Sequence, residues 1–253
     1  MRAAIFAGRN TKELLRDPIS YIFCLGFPLV MLIIMSIVNE SIPKQANMVI
    51  FRIEYLSGGI AVFGLTFIML FTCLQIAKDR GSAFLLRLYA SPMTAADFII
   101  GYTLPILVIA VAQSAATYLA SIVIGAITGY SFSVGGILLA LLILIPADIM
   151  FIGIGLLFGT IFNEKAAPGL CSIVISLSAM LGGIWMDVEN LNGGLKSFCE
   201  ALPFYHVVAA ARSAVLGTSG EIVSHLLIVT VYTIAIFVLS VVVFARKRQN
   251  DLR

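Results

Sequence analysis

The sequence predicts an all-α integral membrane protein with six transmembrane helices, a surface helix before the first and a broken external segment before the last. Three observations predict it. The 253 residues are 60% hydrophobic and only 11% charged, whereas soluble domains carry about 25% charged residues. The mean hydropathy is +1.07, too apolar for one water-bounded core, so the bilayer is the solvent. The basic residues also gather on alternate connections between the apolar runs. The net charge of +3 gives no footprint for nucleic acid.

A span needs about 20 apolar residues to cross about 30 Å of hydrocarbon. Six segments qualify, at 19–38, 56–77, 99–127, 134–162, 168–186 and 223–245. Backbone polar groups in lipid must be satisfied within the segment, so these are helices. The ten-residue alternation of barrel strands is absent. Residues 1–253 read as a single transmembrane domain. The first apolar run is too long for a signal-peptide core and has no small-residue cleavage site after it, so it is expected to be retained.

Placing the N-terminus inside puts Arg2, Arg9, Lys12, Arg16, Lys78, Arg80, Arg87, Lys165, Arg246, Lys247, Arg248 and Arg253 on the cytoplasmic side. Lys44, Arg52, Lys196 and Arg212 fall outside. Twelve of the sixteen basic residues inside is a positive-inside pattern and places both termini in the cytoplasm. Trp185 is then expected at the outer interface, where aromatic belts occur. Of the four cysteines, Cys24, Cys73 and Cys171 lie in apolar runs and only Cys199 lies outside. No external disulfide is expected within one chain.

The connections carry three features. In residues 2–17, Arg2, Arg9, Glu13 and Arg16 share one helical face, with Ala3, Phe6, Ala7 and Leu14 broadly opposite. That pattern predicts an interfacial helix on the inner membrane surface, ended by Asp17-Pro18; the alternative is a frayed basic tail. The cytoplasmic loop 78–97 is charged at its start, with Phe84, Leu85, Leu88 and Tyr89 at helical spacing, so a short helix is expected, its apolar side either a docking surface or packed against its own bundle. Ser91-Pro92 ends it, and Thr94 with Asp97 matches a capping box for the next helix. The external stretch 187–222 mixes apolar and charged residues and is divided by Pro203. Its halves are too short to span, which predicts an interfacial or re-entrant helix pair turning at Pro203 and Phe204.

Asp148 is the one formal charge well inside a predicted span, near the midpoint of the fourth. A carboxylate at that depth costs about 2.5–3.5 kcal/mol on insertion scales. Gln113 sits at the midpoint of the third span, so the two are expected at similar depth and within hydrogen-bonding reach. They are candidates for a substrate pathway or for an interhelical hydrogen bond. A pathway role predicts that Asp148→Ala lowers transport more than it lowers the amount of folded protein. Pro146 is expected to disturb the fourth helix. Small residues at Gly155/Gly159, Ser172/Ser176 and Ala179/Gly183 allow close helix approach and give a weak signal for dimerisation. There is no P-loop, no zincin motif and no cysteine–histidine ligand spacing. His206 and His225 lie outside or at an outer span end, and no nucleophile–base pair is evident. No catalytic site, metal or cofactor is expected on this chain.

This organisation resembles the ABC type-2 permeases, the six-helix membrane subunits of ATP-binding-cassette exporters, over essentially the whole chain. The most specific residues are Asp79-Arg80-Gly81-Ser82, then Leu88-Tyr89-Ala90-Ser91-Pro92 and Gly101. Pro203-Phe204 followed by Arg212 and Leu216 is similar to the family's segment before the last span. Two positions depart: Tyr102 stands where lysine is common, and Lys78 where an acid is common. The resemblance implies a permease dimer, of identical or related chains, in a prokaryotic plasma membrane. Each chain would bind one cytoplasmic ABC ATPase subunit, which holds the ATP and magnesium. Residues Lys78, Asp79, Arg80, Gly81, Phe84, Leu85, Arg87, Leu88, Tyr89, Ser91 and Pro92 would form the coupling helix and its flanks. Charge insertion at Leu85 or Leu88 would then abolish ATPase association while leaving membrane insertion intact. The exported substrate would be hydrophobic or amphipathic (a drug, an antimicrobial peptide or a lipid-like compound), because few charges line any span. Two other readings compete. A secondary transporter would carry several intramembrane ionisable groups, and a scaffold or sensor would never retain an ATP-hydrolysing subunit.

Overall fold

The computed structural model describes residues 2–43, 48–82, 84–89 and 91–251. Lys44, Ala83, Ala90 and Arg253 lie outside the described residues. Among the described residues the regular structure is helical throughout, with no strand. The elements run α1 (Arg2–Leu14), α2 (Pro18–Tyr21), α3 (Phe27–Ser41), α4 (Ile53–Gly81), α5 (Phe84–Tyr89), α6 (Ala95–Thr128), α7 (Val134–Ile161), α8 (Ala167–Leu181), α9 (Gly194–Ala201), α10 (Pro203–Leu216) and α11 (Ile222–Asp251). A π-helical stretch, Ile22–Gly26, joins α2 to α3. Pro28 follows it and lacks the amide that would otherwise bond the Cys24 carbonyl.

Among the described residues, five helices are long and apolar enough to cross a membrane: Ile22–Ser41, Ile53–Gly81, Ala95–Thr128, Val134–Ile161 and Ile222–Gln249. The segment expected to span at 168–186 is instead α8, with 15 residues and a length of about 22 Å, short of the hydrocarbon thickness. It stops because Gly183 adopts a positive φ of 79°, and the amides of Ile184 and Trp185 turn back to the Ala179 carbonyl. The apolar run continues through Ile184, Trp185 and Met186, so hydropathy alone misses the stop. Trp185, in the turn after α8, is half-buried and edge-on to Phe63 at 5.5 Å.

α4 is the central helix, buried along most of its length. Its neighbours reach it through glycines. A Cβ on Gly159 of α7 would lie 2.6 Å from the Cys73 carbonyl and 2.9 Å from Ile76 Cβ. One on Gly155 would meet the Met69 carbonyl and Thr72 Cβ. The G-x-x-x-G of α7 therefore packs within the chain, against α4, and is not free for a second copy. Ser172 and Ser176 of α8 are exposed instead. α11 binds α7 through hydroxyls: Thr233 donates to the Pro146 carbonyl and Ser240 to the Gly153 carbonyl, both at 2.9 Å.

The outward face is apolar. Val108, Ile127, Leu142 and Val231 are 64–78% exposed, within a continuous coat drawn from α3, α6, α7, α8 and α11. Water does not tolerate such a patch on a monomer, and lipid does. The protein is a multi-pass membrane protein.

Both ends of the described chain meet at one end of the bundle. Arg2 donates to the Pro92 carbonyl, and Arg248 of α11 donates to the carbonyls of Met93 and Tyr89. At the opposite end α9 and α10 form a hairpin with its corner at Leu202–Pro203. The corner reaches well into the bundle: Phe204 stacks on Phe151 at 5.9 Å, and the Tyr232 hydroxyl donates to the Ala201 carbonyl. α10 then runs back until Ala214 and Val215 cover Gly136 at the start of α7.

Candidate functional site

The α5 end of the bundle holds the residues singled out in the 78–97 loop, and it is built around one carboxylate. Asp79, in the last turns of α4, is 4% exposed. It accepts a 2.6 Å hydrogen bond from the Tyr102 hydroxyl of α6 and a 3.3 Å bond from Arg9 of α1. Arg9 also pairs with Glu13 at 2.7 Å and lies 3.9 Å over the Phe84 ring of α5. One guanidinium thus ties α1 to both α4 and α5.

α1 docks by the stripe Phe6, Ala7, Asn10 and Leu14. The Phe6 ring meets Phe98 and Tyr102 edge-on at 5.4 and 5.0 Å. Asn10 donates to the Gly101 carbonyl at 3.1 Å. A side chain on Gly101 would collide with Phe6. The apolar face expected to lie in the membrane surface is therefore packed on α6.

Of the eleven loop residues, Lys78, Gly81, Arg87 and Pro92 are exposed, and Arg80, Phe84, Leu88 and Ser91 are half-buried. Asp79, Leu85 and Tyr89 are buried. Leu85 is 1% exposed, which corrects its expected place on a docking surface. The i,i+4 pair Leu85 and Tyr89 faces the bundle, where Tyr89 meets Phe98 and Phe244 edge-on at 5.8 and 6.1 Å. A charge at Leu85 would break the fold before it tested docking. Arg80 points away from the loop's outer surface. It donates to the carbonyls of Gly159, Thr160 and Phe162, satisfying the C-terminus of α7 and complementing its dipole. Thr94 and Asp97 form the expected capping box: the Asp97 amide donates to Thr94 Oγ1 at 3.2 Å and the Thr94 amide to Asp97 Oδ2 at 2.8 Å.

The mid-bundle pair does not form. Gln113 folds over Gly64 and donates to Thr117 at 3.1 Å. Asp148 is 1% exposed, and neither carboxyl oxygen has a hydrogen-bond partner. The Tyr118 hydroxyl, equally buried, is also without one. Packing turns Gln113 toward Gly64 of α4.

The far end holds a cation that span analysis missed. Arg212 of α10 is 8% exposed and donates to the carbonyls of Tyr55 (3.1 Å) and Gly183 (2.9 Å). Burial lowers its pKa to about 10, opposed by Glu189 and Asp187, so the guanidinium stays charged at neutral pH. Gly58 and Gly59 leave room for it beside α4. Arg212 thus pins the hairpin of Pro203 and Phe204 to α4 and to the turn after α8. His206 also closes this end. Its Nε2 meets the Glu200 carbonyl at 2.7 Å and must donate, so its Nδ1 accepts from His225 Nδ1, at 2.7 Å.

Comparison with known proteins places this architecture. A stretch of 100 residues is 29% identical to the "Putative transport permease YvfS" of Bacillus subtilis (strain 168), covering 40% of each chain. The family model described as "ABC-2 type transporter" matches residues 3–216, from α1 to the end of α10, and the chain belongs to that family.

Proposed function

We propose that the chain is the permease subunit of an ABC exporter that moves a hydrophobic or amphipathic compound out of the cell. The α5 end faces the cytoplasm, with both termini beside it, and α8 makes the sixth crossing only together with the non-helical residues 182–186 that follow it. The α9–α10 hairpin is re-entrant from outside. A second permease chain, identical or related, completes the pathway, and a separate ABC ATPase with its ATP and magnesium docks against α5. α5 is then the coupling helix.

One observation carries this reading: the loop 78–92 is exposed on one side and bolted to four helices on the other. Lys78, Arg87 and Pro92 are open to a partner. Behind them, Asp79 joins α1 and α6, Leu85 and Tyr89 enter the core, and Arg248 clamps α11 to the loop. A displacement applied to the exposed face is transmitted to α1, α4, α6 and α11 together, which a transducing element requires. The family places this chain with membrane transport components, and an ATPase on another chain supplies the energy.

The test is copurification of the tagged permease with its cognate ABC ATPase. Arg87 is exposed at the tip of α5, so Arg87→Glu reverses a charge without touching the core. It is expected to reduce ATPase retention at least about tenfold, or about 1.4 kcal/mol, while the permease still elutes as a monodisperse peak. Unchanged retention, or no ATPase bound to the wild-type chain, would refute the reading.

A further inference from the structure

A cavity of about 1140 Å³ separates α1 from the last turns of α4, at the upper end of ligand-site volumes. α1 presents Ile5, Gly8 and Lys12 to it, the turn after α1 presents Arg16, and α4 presents Phe71, Leu74, Gln75 and Lys78. These four α4 residues follow i, i+3, i+4, i+7 spacing and so share one face. Their order along the helix is graded. Lys78 is exposed at the rim, Gln75 lies about 4.5 Å deeper, and Phe71 about 10.5 Å deeper. Charge, then amide, then hydrocarbon is also the order of phosphate, ester and acyl chain in a phospholipid.

Gln75 gives the second, independent sign of a ligand. It is 8% exposed, and neither its amide nitrogen nor its oxygen has a hydrogen-bond partner. A buried amide with nothing to bond is costly, and this one borders an open cavity. The rim is basic on balance. Arg9 is held by Glu13, which leaves Lys12, Arg16 and Lys78 facing Asp17 and Glu164.

We propose that this groove binds one phosphate-bearing membrane lipid, its headgroup at Lys12, Arg16 and Lys78, its ester region on Gln75 and its chains along Leu74 and Phe71. The site is a property of the permease alone and does not depend on the ATPase partner.

The test is native mass spectrometry of the full chain in mild detergent, titrated with palmitoyl-oleoyl-phosphatidylglycerol. One adduct per chain is expected. Dioleoylglycerol, which has chains but no phosphate, and glycerol phosphate, which has phosphate but no chains, are each expected to bind at least about tenfold more weakly. Lys12→Gln and Gln75→Leu should each weaken the phospholipid about fivefold, the loss of one charge or one hydrogen bond. Arg246→Gln, also exposed but outside the groove, should leave binding unchanged. Lys12 is exposed, so its variant decides the matter if Gln75→Leu fails to fold. Equal binding of dioleoylglycerol or of glycerol phosphate would overturn the proposal. So would equal effects of Lys12→Gln and Arg246→Gln, or a stable dimer of this chain that covers Lys12 and retains no phospholipid.

Discussion

Tyr102→Phe removes a single oxygen from the most connected point of the α5 end. The ring is fully buried and packs edge-on against Phe6 at 5.0 Å, and phenylalanine keeps that contact. What is lost is the 2.6 Å hydrogen bond to Asp79. Hydrogen bonds to charged groups contribute about 1.5–3 kcal/mol. Asp79 keeps Arg9 at 3.3 Å, so a loss near 2 kcal/mol is expected, about 30-fold in an equilibrium constant. Asp79→Ala is worse, because it strands the Tyr102 hydroxyl and releases Arg9 from α4. Removing one partner of a buried charge network costs about 3–5 kcal/mol. The double variant Asp79→Ala/Tyr102→Phe no longer has a stranded hydroxyl and should be no less stable than Asp79→Ala, which a double-mutant cycle measures. Membrane proteins commonly unfold irreversibly, so the observable is the half-life of the monodisperse peak in detergent at fixed temperature. A second readout is local. If this network holds α1 in place, tryptic cleavage after Lys12 and Arg16 should accelerate in Tyr102→Phe. A half-life within twofold of wild type, with unchanged cleavage, would refute the assignment of Asp79 and Tyr102 as the anchor of α1.

Two further outcomes follow from packing. Gly159→Ala places a Cβ against the Cys73 carbonyl, and overpacking of that kind costs about 1–3 kcal/mol. Thermal unfolding in detergent should fall for Gly159→Ala and not for Gly169→Ala, whose Cβ meets open space; a loss of dimer with an equally stable protomer would contradict α7 packing on α4. Asp148→Leu replaces a buried carboxyl that has no partner and should stabilise the protein by about 1–3 kcal/mol while lowering transport in reconstituted vesicles. A loss of stability on that substitution would mean that Asp148 is satisfied within the fold.

What the sequence disclosed well was depth. Transfer into hydrocarbon is a large signal per residue, so the apolar runs located α3, α4, α6, α7 and α11 to within a few residues. The capping box at Thr94 and Asp97 was equally legible, because its partners are three residues apart and need no tertiary context. Azimuth was not legible. Helical spacing grouped Phe84, Leu85, Leu88 and Tyr89, but it could not say that Leu85 and Tyr89 would turn inward and leave Arg87 outside. The same gap misplaced Gln113, which was expected beside Asp148 and faces Gly64 of α4 instead. A glycine pair such as Gly155 and Gly159 advertises a close approach without naming the helix that makes it. The burial of Arg212 was hidden for a related reason: α10 does not span, so its charge drew no penalty in a span-by-span reading, although the fold buries it.

These failures share a cause that bears on mechanism. Hydropathy is a one-dimensional code along the membrane normal, whereas rotation about each helix is decided by the neighbours it packs against. The α5 end is where rotation matters most. Arg9 joins α1 to Asp79 and Phe84, and Arg248 joins α11 to the carbonyls of Tyr89 and Met93. Both guanidiniums bridge neighbouring helices, Arg9 from α1 to α4 and α5 and Arg248 from α11 to the residues at the end of α5. On the proposed coupling role, a force delivered to Arg87 or Pro92 would reach α1, α4, α6 and α11 together, and shifting them sideways costs less than moving them in depth. Lateral rearrangement of this kind leaves each helix matched to the bilayer thickness, so it avoids the penalty of exposing apolar turns to water.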